Sequence, residues 1–125
     1  MKKSINFNSV VARGRGEGAK LGFPTLNLEK TDLVIDYGVY VCRVKTDYGM
    51  FAGALNYGAR PTFNLNETAC EIYLLDFSGD LYGQNIRVTV YNKIREVMKF
   101  ENVEKLKDQI GRDVLAVRKF FESNQ

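Results

Sequence analysis

Two groups of residues in this chain have the types and spacing to do chemistry. The first is Arg13–Leu28, RGRGEGAKLGFPTLNL, where Gly14, Gly16, Gly18 and Gly22 alternate with Arg13, Arg15 and Lys20, and Pro24-Thr25-Leu26-Asn27 follows at once. Glycines let the backbone approach a bulky anion and take up positive φ without a Cβ clash. Successive free N–H groups in such a loop form a nest for phosphate oxygens. The cations add charge, and Thr25 and Asn27 offer hard oxygen donors of the kind Mg²⁺ accepts. Together they suggest a nucleotide-phosphate site; the plainer reading is an arginine-glycine loop that touches any polyanion. The second group centres on Glu71 in Ala69–Phe77, ACEIYLLDF. Strand alternation puts Tyr73, Leu75 and Phe77 on its face. A carboxylate on an apolar face is either paired or used, because burying it alone is costly. Burial raises its pKa toward the range of a general base. The alternative is a solvated charge on an edge strand.

The glycine stretch matches neither common glycine motif. No Gly-Lys-Ser/Thr triplet opens a helix, as a Walker loop requires. The chain after Gly22 reads as extended, whereas the Rossmann fingerprint opens a helix. The chain has no histidine. That excludes Ser-His-Asp triads, histidine bases and His-ligated zinc, leaving carboxylate, lysine, tyrosine or cysteine as a base. A net charge of +3 suits an anionic ligand but does not demand nucleic acid. Cys42 and Cys70 fall in apolar strand-like runs without metal spacing, so free, buried thiols in a reducing, cytoplasmic compartment are expected. No signal-peptide core or membrane-spanning run is apparent.

The elements that must position these groups are short strands. At 125 residues, 45% of them hydrophobic, the sequence reads as one domain over 1–125, with a barrel over about 5–100 and a helix over about 103–122. Ile5–Ala12 is a first strand. Val39–Lys45 and Met50–Asn56 form a hairpin through Asp47-Tyr48-Gly49. Ala69–Phe77 and Ile86–Tyr91 flank further glycine turns. Such spacing predicts an antiparallel barrel or sandwich. Asn56–Phe63, NYGARPTF, reads as a bent loop fixed by Gly58 and Pro61, with Arg60 held extended. From Val103, the apolar positions Val103, Leu106, Ile110, Val114, Val117 and Phe121 trace one helical face. Asn102 is placed to cap it. Gly111 costs that helix about 1 kcal/mol, so packing on the barrel must hold it.

These residues carry a resemblance to riboflavin kinases, the flavokinase domain of bacterial bifunctional FAD synthetases. It runs in order through Gly14–Asn27, Gly38-Val39-Tyr40, Asn56–Phe63, Glu71 with the following Ile-Tyr-Leu-Leu-Asp-Phe, Leu81-Tyr82-Gly83, Ile94-Arg95 and Lys105–Asp113. The resemblance implies a mainly β fold, a six-stranded antiparallel Greek-key barrel with a C-terminal α-helix. It implies transfer of the ATP γ-phosphate to the 5′-hydroxyl of riboflavin, giving FMN and ADP. It assigns nucleotide binding to Gly14, Gly16, Gly18, Lys20, Gly22, Pro24, Thr25 and Asn56. Mg²⁺ (or Zn²⁺ or Mn²⁺) falls to Thr25 and Asn27, the base to Glu71, and flavin contacts to Arg95, Lys99 and Phe100. The sequence departs from the family pattern at Glu17 and Ala19, where arginines are frequent, and at Val97, where glutamate is usual. The family's adenylyltransferase half has no counterpart in this sequence, which implies FMN but not FAD as product unless the chain is excised from a longer one. The expected partners are the two small-molecule substrates, for a monomer that binds neither nucleic acid nor membrane. Two other readings stand beside this one: a flavin-binding module of the same fold with weakened catalysis, and a small nucleic-acid-binding barrel.

Overall fold

The computed structural model describes residues 4–13, 25–61 and 66–124. Six strands and one helix follow in order: β1 (Ile5–Ala12), β2 (Thr25–Leu28), β3 (Gly38–Thr46), β4 (Gly49–Pro61), β5 (Asn66–Leu74), β6 (Asn85–Arg95) and α1 (Val103–Ser123). The strands close into a barrel in the order β1-β2-β5-β4-β3-β6, and every pairing is antiparallel. From β3 to β6 this is a Greek key: β3, β4 and β5 are neighbours, and β6 returns to lie beside β3. Closure removes the free sheet edges that would otherwise invite association.

Alternation along each strand divides inside from outside. Phe7, Val11, Leu28, Tyr40, Cys42, Val44, Leu55, Tyr57, Cys70, Ile72, Ile86, Val88 and Val90 fill the barrel. Their neighbours Val39, Val41, Ala54 and Tyr73 face outward and meet Val114, Val117, Phe120 and Phe121 of α1. Tyr91 joins the phenylalanines, with ring centroids 5.3 Å from Phe120 and 5.8 Å from Phe121. The helix therefore lies on the outside of β3 and β4, as its apolar stripe requires. Asn102 caps it, its side chain accepting a 2.9 Å bond from the Lys105 amide. In the β3–β4 turn the Thr46 hydroxyl accepts from the Tyr48 amide at 2.9 Å and donates to the Gly49 carbonyl at 3.0 Å. Gly49 sits at φ 123°, a conformation that a side chain would strain.

Several expectations need correcting. Asn56–Pro61 is not a bent loop but the second half of β4, in register with β5 from Asn66 to Glu71. The run Ala69–Phe77 begins earlier and ends sooner: β5 starts at Asn66 and stops at Leu74. Beyond it the alternation breaks. Leu75 joins Tyr73 under the helix, whereas Phe77 packs against the barrel interior, so it does not share the face of Glu71. Strand β6 runs past Tyr91 to Arg95. Val103 is 54% exposed, because the first buried residue of the helix is Ile110, two turns further on.

Candidate functional site

The closed register assembles residues that the sequence leaves far apart. On one outer rung Asn27 stands opposite Glu71, Glu71 opposite Asn56, Asn56 opposite Val39 and Val39 opposite Arg95. On the next, Thr25 stands opposite Tyr73 and Tyr73 opposite Ala54. The outward sense follows from the neighbours: Leu26, Leu28, Leu55, Tyr57, Cys70 and Ile72 all belong to the interior cluster. Adjacent strands lie about 4.8 Å apart, so Glu71 is flanked in register by Asn27 and Asn56. Thr25 is its diagonal neighbour. The expected metal donors Thr25 and Asn27, the expected base Glu71 and the nucleotide-binding candidate Asn56 thus share one patch of the barrel's outer face, beside the helix.

The glycine-rich candidates Gly14, Gly16, Gly18, Lys20, Gly22 and Pro24, with Glu17 and Ala19, lie outside the described residues. Both flanks of their segment are defined. Thr25 opens β2 on the rung next to that of Glu71. At the other flank the Arg13 guanidinium lies 4.1 Å over the Tyr82 ring. The turn bearing Tyr82 is tied to β1 by the Gly83 amide donating to the Val11 carbonyl at 2.8 Å and the Val11 amide donating to the Gln84 carbonyl at 2.9 Å. Leu81-Tyr82-Gly83 is thereby fixed beside the end of β1.

The electrostatics bear on which groups can react. Burial, then the negative charges of Glu71 and Asp113, pushes the Tyr73 phenol up to about 12 against a smaller opposing effect of Arg95. Tyr73 therefore stays protonated at neutral pH, a hydrogen-bond donor beside Glu71. Burial, and then Glu71, pushes the Cys70 thiol up to about 12. Burial raises Cys42 as well. Both thiols are free and buried, so neither is a competent nucleophile. Among the described residues no three His, Cys, Asp or Glu side chains cluster as a metal site. The donors on the rung are instead hard oxygens, which fit Mg²⁺: it takes one or two protein ligands and completes its shell with water and substrate phosphates.

Arg95, Lys99 and Phe100 border the same face. Arg95 ends β6, and its Nε and Nη2 donate to Asp113 Oδ1 and Oδ2, each at 2.8 Å. Its Nη1 donates to the Glu96 carbonyl at 3.0 Å, and its guanidinium carbon lies 5.9 Å from the Phe100 ring centre. The following segment crosses the sheet beside the rung. Val97 lies over Gly58, where an added Cβ would come within 3.2 Å of Val97 Cγ2. Lys99 is exposed. Asp113 and Tyr73 were not singled out as site residues by sequence reasoning. Asp113 was legible: it shares the helix stripe with Ile110 and Val117, and a carboxylate there needs a cation. A further cleft, about 330 Å³, opens toward the other end of α1 among Arg43, Phe51, Leu75, Asp76, Arg118 and Phe121.

A closed six-stranded antiparallel barrel with a helix packed on its outside defines a compact class of fold. A riboflavin kinase from Trypanosoma brucei shares it with a TM-score of 0.66, over 100% of this chain and 83% of that one, at 22% sequence identity. A family model described as Flavokinase: Riboflavin kinase matches residues 1–121, and the chain belongs to that family. An RNA-binding riboflavin kinase, RibR, from Bacillus subtilis is 38% identical over 113 residues, which are 90% of this chain and 49% of that protein. A bifunctional riboflavin kinase/FMN adenylyltransferase from Haemophilus influenzae is 39% identical over 115 residues, 90% of this chain and 37% of that protein. A solved structure described as a macrolide-efflux protein from Streptococcus pneumoniae superposes with a TM-score of 0.83 at 30% identity, covering 90% of this chain and 38% of that one. The chain thus spans half or less of the length of these curated relatives.

Proposed function

We propose that the chain is a riboflavin kinase that transfers the γ-phosphate of ATP to the 5′-hydroxyl of riboflavin, giving FMN and ADP. The observation that carries the proposal is the rung itself. Glu71 stands directly between Asn27 and Asn56, with Thr25 diagonal to it, at the edge of a glycine-rich segment. Phosphoryl transfer asks little covalent chemistry of a protein; it needs positioning, charge neutralisation and a group to accept the hydroxyl proton. Glu71 accepts that proton. Thr25 and Asn27 would hold Mg²⁺, which when bound neutralises charge on the transferring phosphate. The glycine-rich segment with Arg13, Arg15 and Lys20 binds the triphosphate, and Asn56 contributes a carboxamide to the same ligand. Arg95, Lys99 and Phe100 contact the flavin, whose ring needs a largely apolar wall with a few placed polar groups. A reducing, cytoplasmic compartment agrees with the two free thiols. No described helix is long and apolar enough to cross a membrane.

The test is FMN formation by the purified chain, followed chromatographically with riboflavin and ATP. Activity that appears with Mg²⁺ and disappears on chelation is the expected result, with Zn²⁺ and Mn²⁺ as comparison metals. Flavin binding without FMN formation under any nucleotide or metal would instead establish a binding module that has lost the reaction.

A further inference from the structure

The Arg95–Asp113 pair is harder to explain by stability than by function. A buried ion pair loses to desolvation much of what it gains by attraction, and apolar replacements of similar volume commonly do as well or better. Yet the Asp113 side chain is 1% exposed and that of Arg95 15% exposed. Asp113 also takes a position on the helix stripe, between Ile110 and Val117, that an apolar side chain would fill. Gln109, one turn earlier, donates to Asp113 Oδ1 at 3.1 Å, so the carboxylate is held from two directions.

The bonds to Arg95 leave a specific remainder. A guanidinium carries five N–H groups. One on Nε and one on Nη2 go to Asp113, and one on Nη1 goes to the Glu96 carbonyl. One N–H on Nη1 and one on Nη2 are left without a partner among the described residues. The guanidinium that carries them cannot turn, because both its other edges are engaged. Arg95 stands on the rung of Glu71, separated from it by Asn56 and Val39. Along the curved wall that is three strand spacings, about 14 Å, so the straight separation is shorter, within the length of a molecule with a hydroxyl at one end and a planar, oxygen-bearing ring at the other. Both charges of the pair also reach Tyr73, the neighbour of Glu71 on β5.

We propose that Asp113, supported by Gln109, is a positioning residue for acceptor binding: it fixes the Arg95 guanidinium so that its two remaining N–H groups form a rigid fork for oxygen acceptors on the flavin ring. The proposal rests on the riboflavin kinase reading and extends it to residues that do not touch the substrate. The fork acts on binding of the acceptor, not on the phosphoryl transfer at Glu71.

The experiment compares Asp113→Asn, Asp113→Leu and Gln109→Met with the parent chain. Three quantities are read: KM for riboflavin, KM for ATP with kcat, and equilibrium quenching of riboflavin fluorescence. Both Asp113 variants should weaken riboflavin binding and raise its KM roughly 10- to 100-fold, the scale of a hydrogen bond to a charged group. The ATP KM and kcat should change less than about 3-fold, while Asp113→Leu melts below the parent because it leaves the Arg95 guanidinium without its carboxylate. Gln109→Met, which leaves the ion pair in place, should raise the riboflavin KM by a few-fold and serves if the Asp113 variants do not fold. A folded Asp113→Leu or Gln109→Met chain with unchanged riboflavin KM and quenching would overturn the proposal. Loss confined to kcat would overturn it too. A parent chain that quenches riboflavin but makes no FMN defeats the kinase reading alone, and the quenching comparison still decides the role of Asp113.

Discussion

The same substitution at two glycines should have opposite signs. Gly53 lies in β4, opposite Cys42 on one side and Leu74 on the other. A Cβ built there comes within 2.7 Å of the Tyr73 carbonyl oxygen and 2.9 Å of Ile72 Cγ2, with Cys42 Sγ at 3.3 Å. Carbon atoms prefer about 3.5–4.0 Å, so the methyl overlaps Ile72 by at least ~0.6 Å. The carbonyl cannot yield without moving β5. Overpacking of this kind costs about 1–3 kcal/mol. Restricting the unfolded chain returns only about 0.4–1 kcal/mol. Gly53→Ala should therefore lose about 1.3 kcal/mol at mid-range and at most about 2.6, a fall in Tm of roughly 4–10 °C. At Gly111, inside α1, the added Cβ meets nothing within 4 Å. There alanine should gain about 1 kcal/mol of helix propensity and raise Tm by roughly 3–5 °C. Urea denaturation with unchanged m-values is the assay. Because the strained carbonyl belongs to β5, two residues from Glu71, Gly53→Ala should also lower kcat while Gly111→Ala leaves it alone. A Gly53→Ala protein as stable as the parent would refute the packing argument.

Other consequences follow from the same structure. Cys42 and Cys70 should resist a thiol reagent at pH 8 in the native protein and react fully in denaturant, since burial raises both thiols; rapid native labelling of either would contradict their placement. Burial delays the titration of Tyr40, and Tyr73 should also titrate late by ultraviolet absorbance, ionising near pH 12. Its folded pKa lies above the unfolded value near 10, so the stability it confers is intact below about pH 10 and is lost as pH rises toward 12; Tyr73→Phe should flatten stability across that window. Asn102→Ala removes the cap on the Lys105 amide and should cost about 1 kcal/mol in urea denaturation with the riboflavin KM unchanged.

What the sequence reveals and what it hides have different physical origins. Local signals were sufficient for Ile5–Ala12, the hairpin through Asp47-Tyr48-Gly49 and the helix start at Asn102, because alternation, turn residues and a cap act within a few positions. The candidates Thr25, Asn27, Asn56 and Glu71 were identifiable by residue type and motif. Their alignment on two adjacent outer rungs was not, because it depends on β2 and β4 flanking β5, an ordering that closes only at the level of the whole barrel. The loop expected over Asn56–Phe63 rests on glycine and proline, which look alike in a loop and near a strand end; pairing with β5 keeps Asn56–Pro61 extended. Asp113 was passed over because Val114 beside it completes the same apolar stripe. The ion pair that explains Asp113 joins residues 18 apart, a separation that helical periodicity does not encode.

The central claim is that Glu71 is the base of a riboflavin-phosphorylating site. It is tested most directly by measuring FMN formation from riboflavin, ATP and Mg²⁺ in the parent chain and in Glu71→Gln, with riboflavin quenching measured on the same preparations. The account predicts that the parent forms FMN, that Glu71→Gln loses roughly 10²- to 10⁴-fold in kcat, and that both quench riboflavin alike. A Glu71→Gln protein that turns over at the parent rate would contradict it.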